Sequence, residues 1–150
     1  MKAAWNGPTT DMRVLRDGTW AVDGQPVVHE NTLRYLKGHL VADSEGTAIV
    51  DGAQRLPVRL EGPPLQVLSL VVDPRLEEVR ACLDDGSVET VAEGAISMSP
   101  TTGRFVLASK GGRFEALLSR QAHETLLGNA QEFSGSFAIV AGTRRIGIRT

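Results

Sequence analysis

Cysteine is nearly missing from this chain: Cys82 is the single one in 150 residues. No internal disulfide can therefore staple the fold, and with no neighbouring histidine or second cysteine Cys82 reads as a small apolar residue, not as a ligand or nucleophile. A basic surplus is missing as well, since 16 Lys and Arg face 18 Asp and Glu for a net charge of −2. Nucleic-acid binding draws on phosphate neutralisation, so no nucleic-acid partner is expected. Long hydrophobic runs are also lacking. The greasiest stretch, Leu65 to Val72, is far too short to span a bilayer, and Met1 to Pro8 holds no apolar segment of signal-peptide length. These absences predict a cytoplasmic protein without a membrane partner.

The usual marks of chemistry are absent too. His29, His39 and His123 form no His-x-x-x-His or Glu-x-x-His pair, so no metal and no cofactor are expected. The chain has no Gly-x-Ser-x-Gly elbow and no Gly-x-x-x-x-Gly-Lys-Ser/Thr loop; Lys110-Gly111-Gly112-Arg113 reads as a hairpin tip. Carboxylates pair at Glu77-Glu78, at Asp84-Asp85 and as Asp11 with Asp17, but acid and base work on a glycoside needs two carboxyls at a set separation, which these spacings do not establish. No catalytic residue is assigned.

What the chain does have is an internal repeat. Ala48-Ile49-Val50-Asp51-Gly52-Ala53-Gln54-Arg55-Leu56-Pro57-Val58-Arg59 returns 90 residues later, without a gap, as Ala138-Ile139-Val140-Ala141-Gly142-Thr143-Arg144-Arg145-Ile146-Gly147-Ile148-Arg149. The same shift sets Val27-Val28 on Leu117-Leu118, Leu36 on Leu126, Gly38 on Gly128, Ser44 on Ser134 and Leu33 on His123, which suits a partly buried ring. The match of 27–59 with 117–149 divides the chain into an N-terminal lobe, 1–62, and a C-terminal lobe, 63–150.

Within each lobe the pattern alternates between strand and helix periods. Val14, Trp20, Val22 and Val27 are broken by Asp17-Gly18 and Asp23-Gly24, dipeptides that supply positive φ in tight turns, and predict a short β-meander. Leu33, Leu36 and Leu40 are at helical spacing, and Gly38 marks where that helix frays or caps. Thr47–Val50 and Leu56–Leu60 make a closing hairpin, stopped by Glu61-Gly62-Pro63-Pro64 because proline donates no N–H. In the second lobe Leu65 to Val72 reads as a buried strand. Glu78 to Val91 reads as a hairpin around Asp84-Asp85-Gly86, although Leu76, Val79 and Leu83 also fit a helix. Ser97 to Gly103 reads as a loop, Arg104–Ala108 and Phe114–Leu118 as strands, and Ser119 as the N-cap of a helix to about Ala130. Phe137 to Ile148 closes the second unit. The fold class predicted is α+β: two repeated lobes, each hairpin, helix, hairpin, forming roll-like antiparallel sheets that share a core.

Two features admit two readings each. Arg55 with Arg59, and Arg145 with Arg149, make either a symmetric anion site or a set of outward charges that keep a sheet edge soluble. Trp20 is either a core aromatic after a turn or the aromatic wall of a ligand cleft.

Asp11-Met12-Arg13-Val14-Leu15-Arg16-Asp17-Gly18-Thr19-Trp20, followed by Asp23-Gly24-Gln25-Pro26-Val27, resembles the opening of the bacterial family catalogued as domain of unknown function 1285. The resemblance continues through Val58-Arg59-Leu60-Glu61-Gly62-Pro63-Pro64-Leu65 and Phe114-Glu115-Ala116-Leu117-Leu118-Ser119-Arg120. It implies two structurally repeated α+β lobes and a part in bacterial signalling. The positions that match the family's motif are Asp11, Arg13, Asp17, Gly18, Trp20, Gly24, Glu61, Pro64, Glu115 and Arg120. The chain departs from the family at Asp51-Gly52-Ala53-Gln54, at His123 and Glu124, and at Ala141-Gly142-Thr143, so it can either bind something different or keep only the scaffold.

Three functional classes follow. The leading one is a non-enzymatic binding module that recognises a small anionic ligand or a protein partner in the cleft between the lobes. Arg13 and Arg120 are its anion contacts and Trp20 its apolar wall; Glu61 and Glu115 can hold the arginines as ion pairs, in which case the same residues are structural and the site is elsewhere. The second is a small hydrolase or isomerase with Asp11, Glu61 or Glu115 as general base. The third is a scaffold, including a possible homodimer, that pairs exposed edges such as Leu56–Leu60 and Ile146–Ile148 with another chain.

Overall fold

The computed structural model describes residues 10–100 and 102–149. Met1 to Pro8, where no leader was read, and Thr101 of the expected 97–103 loop lie outside the described residues. The chain divides into two compact units, Met1–Pro64 and Leu65–Thr150. It is an α+β protein of two lobes, with one mixed sheet in each.

The first unit runs β1 (Met12–Val14), β2 (Trp20–Val22), β3 (Gln25–Pro26), α1 (Glu30–Gly38), β4 (Leu40–Asp43), β5 (Gly46–Asp51) and β6 (Gln54–Leu60). Its strand order is β3-β2-β1-β6-β5-β4. Two turns form for the reason the dipeptides predict: Gly18 has φ 90, and Asp23 and Gly24 have φ 49 and 84. Met12, Val14, Trp20, Leu36, Ile49, Leu56 and Val58 make the core, with Leu36 the one fully buried residue of α1. β1 and β6 are parallel neighbours, because the connection between them carries the helix and crosses over.

The second unit runs β7 (Leu65–Asp73), β8 (Glu78–Leu83), β9 (Val88–Thr90), β10 (Ile96–Met98), β11 (Phe105–Ser109), β12 (Phe114–Leu118), α2 (Arg120–Asn129), β13 (Ala130–Phe133), β14 (Ser136–Ala141) and β15 (Arg144–Arg149). Its order is β13-β14-β15-β10-β11-β12-β7-β8-β9. The first six strands of that order reproduce the first sheet from β4 to β3. The register repeats too: Leu40 faces Ile49 as Ala130 faces Ile139, and Ala48 faces Pro57 as Ala138 faces Gly147. Ser119 caps α2 by accepting from the Ala122 N–H at 3.1 Å. The sheet bends until its β7–β8 turn meets its β14–β15 turn, where the Glu77 carboxylate accepts from the backbone N–H of Thr143 at 2.8 Å and from the Thr143 hydroxyl.

Several expectations are corrected. The sheets are mixed, not antiparallel, since β1–β6, β10–β15 and β12–β7 run parallel. Leu56–Leu60 and Ile146–Ile148 are not edges: β6 and β15 are interior strands, and the free edges are β3, β4, β9 and β13. Ile96–Met98 is a strand where a loop was expected to start. The 90-residue shift fails locally at Val27-Val28, because Pro26 holds the register place of Leu117, and Val28 is 80% exposed against 2% for Leu118.

Candidate functional site

Alternation along β1 buries Met12 and Val14 and turns Arg13 outward. Parallel pairing then sets Arg13 directly opposite Arg59 on β6. Asp11 holds both. Its Oδ2 lies 2.5 Å from Arg13 Nη2 and accepts from Nε at 3.2 Å, and its Oδ1 lies 3.6 Å from Arg59 Nη2. Glu61 Oε2 makes a longer contact to Arg13 Nη1, 3.4 Å. Asp11 is fixed in turn by its N–H donating to Asp23 Oδ1 at 2.7 Å. The hydrogen bond to Asp11 raises the Arg13 pKa, burial lowers it in part, and the charges of Asp11 and Glu61 add to the rise. Arg13 is thus well partnered, while Arg59, 64% exposed, is the more available cation.

Trp20 takes the core reading. It is 1% exposed, packs in the first unit's core and donates from Nε1 to the Pro64 carbonyl at 2.9 Å, so no face of the ring is left to line a cleft. Other matching motif residues serve the same junction. Asp17 Oδ1 accepts from the Thr19 N–H at 3.0 Å, and Gly18, at φ 90, brings its Cα beside the Pro63 carbonyl. Gly62 rests against the carbonyl oxygens of Leu15 and Arg16 where a Cβ has no room. The backbone N–H of Glu61 donates to the Val14 carbonyl at 2.8 Å.

In the second unit, Glu115 is exposed on β12 opposite Ala108, and Arg120 opens α2 with its side chain 92% exposed. Arg120 pairs with Glu124 at 3.3 Å, not with Glu115. The five residues singled out in the sequence therefore divide, with Arg13, Trp20 and Glu61 in the first unit and Glu115 and Arg120 in the second; Arg13 and Glu61 are brought together. The symmetric arginine site does not form. Arg59 faces Arg13, but its counterpart Arg149 faces Ser97 and donates from Nε to the Gly94 carbonyl at 2.8 Å. Arg55 forks onto Asp43 at 2.9 and 3.0 Å, whereas Arg145 lies over Phe133.

One polar cluster was not foreseen. Lys110 Nζ lies 2.8 Å from Asp85 Oδ2 and 2.7 Å from Ser87 Oγ, and Ser87 Oγ donates to Asp85 Oδ1 at 2.6 Å. Ser87 Oγ donates to Asp85 and accepts from Lys110, so this trio ties two hairpins together and is no lysine-activated nucleophile pair. Its sequence signal is Asp85 in the Asp84-Asp85-Gly86 turn; nothing local points to Lys110. His123 packs its ring against Phe105, centroids 5.5 Å apart. Among the described residues no group of three or more His, Cys, Asp or Glu is placed to hold a metal ion, and no helix is long and apolar enough to cross a membrane.

No family model matches the sequence, and comparison with curated proteins finds no match. Among solved structures the class is clear: this is the two-lobed α+β fold of DUF1285 family proteins. The chain is similar to a DUF1285 family protein from Silicibacter pomeroyi DSS-3, with a TM-score of 0.72 and 22% identity over 95% of this chain and 83% of that one. A DUF1285 family protein from Shewanella baltica OS155 matches with a TM-score of 0.61 and 12% identity over 81% of this chain and 94% of that one. At such identities the likeness establishes the fold.

Proposed function

We propose that the chain is a non-enzymatic, regulatory binding module of bacterial signalling in the cytoplasm, and that its first unit recognises a small anionic ligand through Arg13 and Arg59. One observation carries this reading: two arginines stand in register on adjacent parallel strands, facing the same side, with Asp11 holding their guanidinium groups in place. Preorganised guanidinium groups suit carboxylate and phosphate oxygens, which they meet with paired N–H donors. A ligand oxygen would displace the long Glu61 contact first and leave the short Asp11 pair intact. General-base chemistry draws no support, because Asp11 and Glu61 are both engaged by arginine and Glu115 is an exposed carboxylate without an orienting partner among the described residues.

The test is thermal stability against nucleotides, cyclic dinucleotides, sugar phosphates and organic acids. A ligand at a hundred times its Kd adds about 2.7 kcal/mol, a rise of several degrees in Tm. Arg59→Ala, at an exposed position, is expected to abolish the rise while the fold survives, and Arg120→Ala to leave it unchanged. A flat panel, or a rise that persists in both Arg13→Ala and Arg59→Ala, removes this reading.

A further inference from the structure

The two repeats place an arginine at the same spot and give it different surroundings. Arg55 on β6 faces Val50, and Arg145 on β15 faces Val140, with 90 residues between the equivalents. Each guanidinium reaches across the middle strand to the edge strand of its sheet. Arg55 meets Asp43 on β4, with Nη1 to Oδ2 at 2.9 Å and Nη2 to Oδ1 at 3.0 Å. Arg145 meets Phe133 on β13, its guanidinium carbon 3.6 Å from the ring centroid. Asp43 and Phe133 are equivalent positions of the repeat. In the first unit an internal carboxylate takes the guanidinium's paired donors. In the second an aromatic ring takes its face, and the donors have no carboxylate among the described residues.

The strand under Arg145 is open. β13 ends its sheet. Ser134 and Gly135, at φ 53 and 86, make a two-residue turn that sets Phe133 opposite Ser136 as a hydrogen-bonding pair. Antiparallel alternation then directs the N–H and C=O of Glu132 away from β14. Ala130 to Phe133 is a short strand with one charged side chain, Glu132, and contains no lysine, no proline and no break in register to blunt the edge further. Gln131 and Glu132 are exposed.

We infer that β13, with Arg145 lying on Phe133, is a docking edge for an extended acidic segment of a partner protein. The segment continues the sheet beyond β13, about 4.8 Å away. An aspartate or glutamate on its Phe133 side supplies Arg145, from one strand further out, with the carboxylate that Asp43 supplies to Arg55. Strand addition supplies main-chain hydrogen bonds, and the carboxylate supplies the selectivity. This goes beyond the Arg13 site and uses none of its residues.

The experiment uses the full chain labelled with nitrogen-15 and three nonapeptides: alternating valine and aspartate, the same with lysine for aspartate, and the acidic one interrupted by a central proline. The acidic peptide is expected to shift the amides of Gln131 to Ser134, to slow exchange at Glu132, and to bind on the order of tenfold or more tightly than the lysine peptide. Phe133→Asp gives Arg145 the internal partner that Arg55 has, and is expected to abolish binding with the fold retained. Arg145→Gln is expected to do the same with the sequence of β13 unchanged. Silence from the acidic peptide, undiminished binding to both variants, or an equal response to free glutamate or to the proline-interrupted peptide would overturn the inference. So would a concentration-dependent dimer in sedimentation that Phe133→Asp dissolves, because a second copy would then own the edge.

Discussion

Lys110→Met tests the polar cluster that no local pattern predicts. Lys110 sits at a left-handed turn position, φ 54, between β11 and β12, and its ammonium reaches the β8–β9 hairpin. There the Asp85 side chain is 7% exposed and already accepts the Ser87 N–H at 2.9 Å and O–H at 2.6 Å. Burial raises the Asp85 pKa, but hydrogen bonds from Lys110 and Ser87, together with the Lys110 charge, more than reverse this and leave it below the usual carboxylate range. Methionine keeps most of the lysine stem and leaves a buried carboxylate with Ser87 alone. Breaking a fully buried pair costs about 3–5 kcal/mol, and Lys110 is 31% exposed, so water replaces part of what is lost. The expected loss at pH 7 is about 2 kcal/mol, or roughly 10 °C in Tm for a unit of this size.

The pH dependence fixes the sign. In the parent chain a depressed folded pKa gives stability that is present above the unfolded pKa, near 4, and is lost as pH falls through the folded value. In the variant desolvation is no longer offset by a cation, so the folded pKa rises and the carboxylate becomes a cost that protonation removes. The gap between parent and variant should therefore narrow between pH 7 and pH 3. Glu89 also faces this turn, but it accepts the Lys110 backbone N–H, which the substitution leaves in place. Urea unfolding followed by circular dichroism at both pH values decides the matter. A loss under about 0.5 kcal/mol at pH 7, or an equal loss at both, refutes the buried-pair argument.

Gly62→Ala drives a Cβ into the carbonyl oxygens of Leu15 and Arg16, backbone atoms that cannot swing aside. A cost of about 3 kcal/mol or more is expected, seen as lost amide dispersion for residues 10–64, and a normal spectrum would show that the close approach is not needed. Trp20→Phe removes the donor to the Pro64 carbonyl and leaves a void in the first core. Denaturant unfolding should show about 2–3 kcal/mol lost, and less than 1 kcal/mol would deny both the packing and the bond.

What was legible in the sequence followed from local physics. Asp17-Gly18 and Asp23-Gly24 declared their turns because positive φ restricts which residues can stand there, and Ser119 declared a helix start because its oxygen can take an orphan N–H. β4 and β13 were missed. Leu40 follows α1 after one residue and also satisfied the helical period, while Ala130-Gln131-Glu132-Phe133 offers no β-branched residue. Ile96–Met98 is too short for alternation to register. The parallel β1–β6 contact, which creates the Arg13, Asp11, Arg59 and Glu61 cluster, joins residues more than forty positions apart, and nothing within either strand specifies that partner. Trp20 carried both its readings in the sequence because a buried aromatic and a ligand-facing one follow a turn in the same way; its burial in the first core and its bond to the Pro64 carbonyl distinguish them.

The residues that carry the family resemblance mostly build a junction. Asp17 shapes a turn, Gly18 admits Pro63, Trp20 seals onto Pro64, and Asp11 steadies two arginines. A resemblance concentrated there predicts the fold, as the similar solved structures bear out, and carries less about what is bound. Binding is better sought where the two repeats part company. At one pair of equivalent strand positions Arg13 beside Arg59 becomes Ser97 beside Arg149, so the doubled guanidinium exists once, in the first unit. At another, Asp43 beneath Arg55 becomes Phe133 beneath Arg145, so in the second unit a guanidinium without a carboxylate partner among the described residues stands beside an open edge. A symmetric duplicate would offer two copies of one weak site. Under the two proposals, divergence on a shared register gives each unit a cation of its own, one on a sheet face for a compact anion and the other at a strand edge for an extended chain.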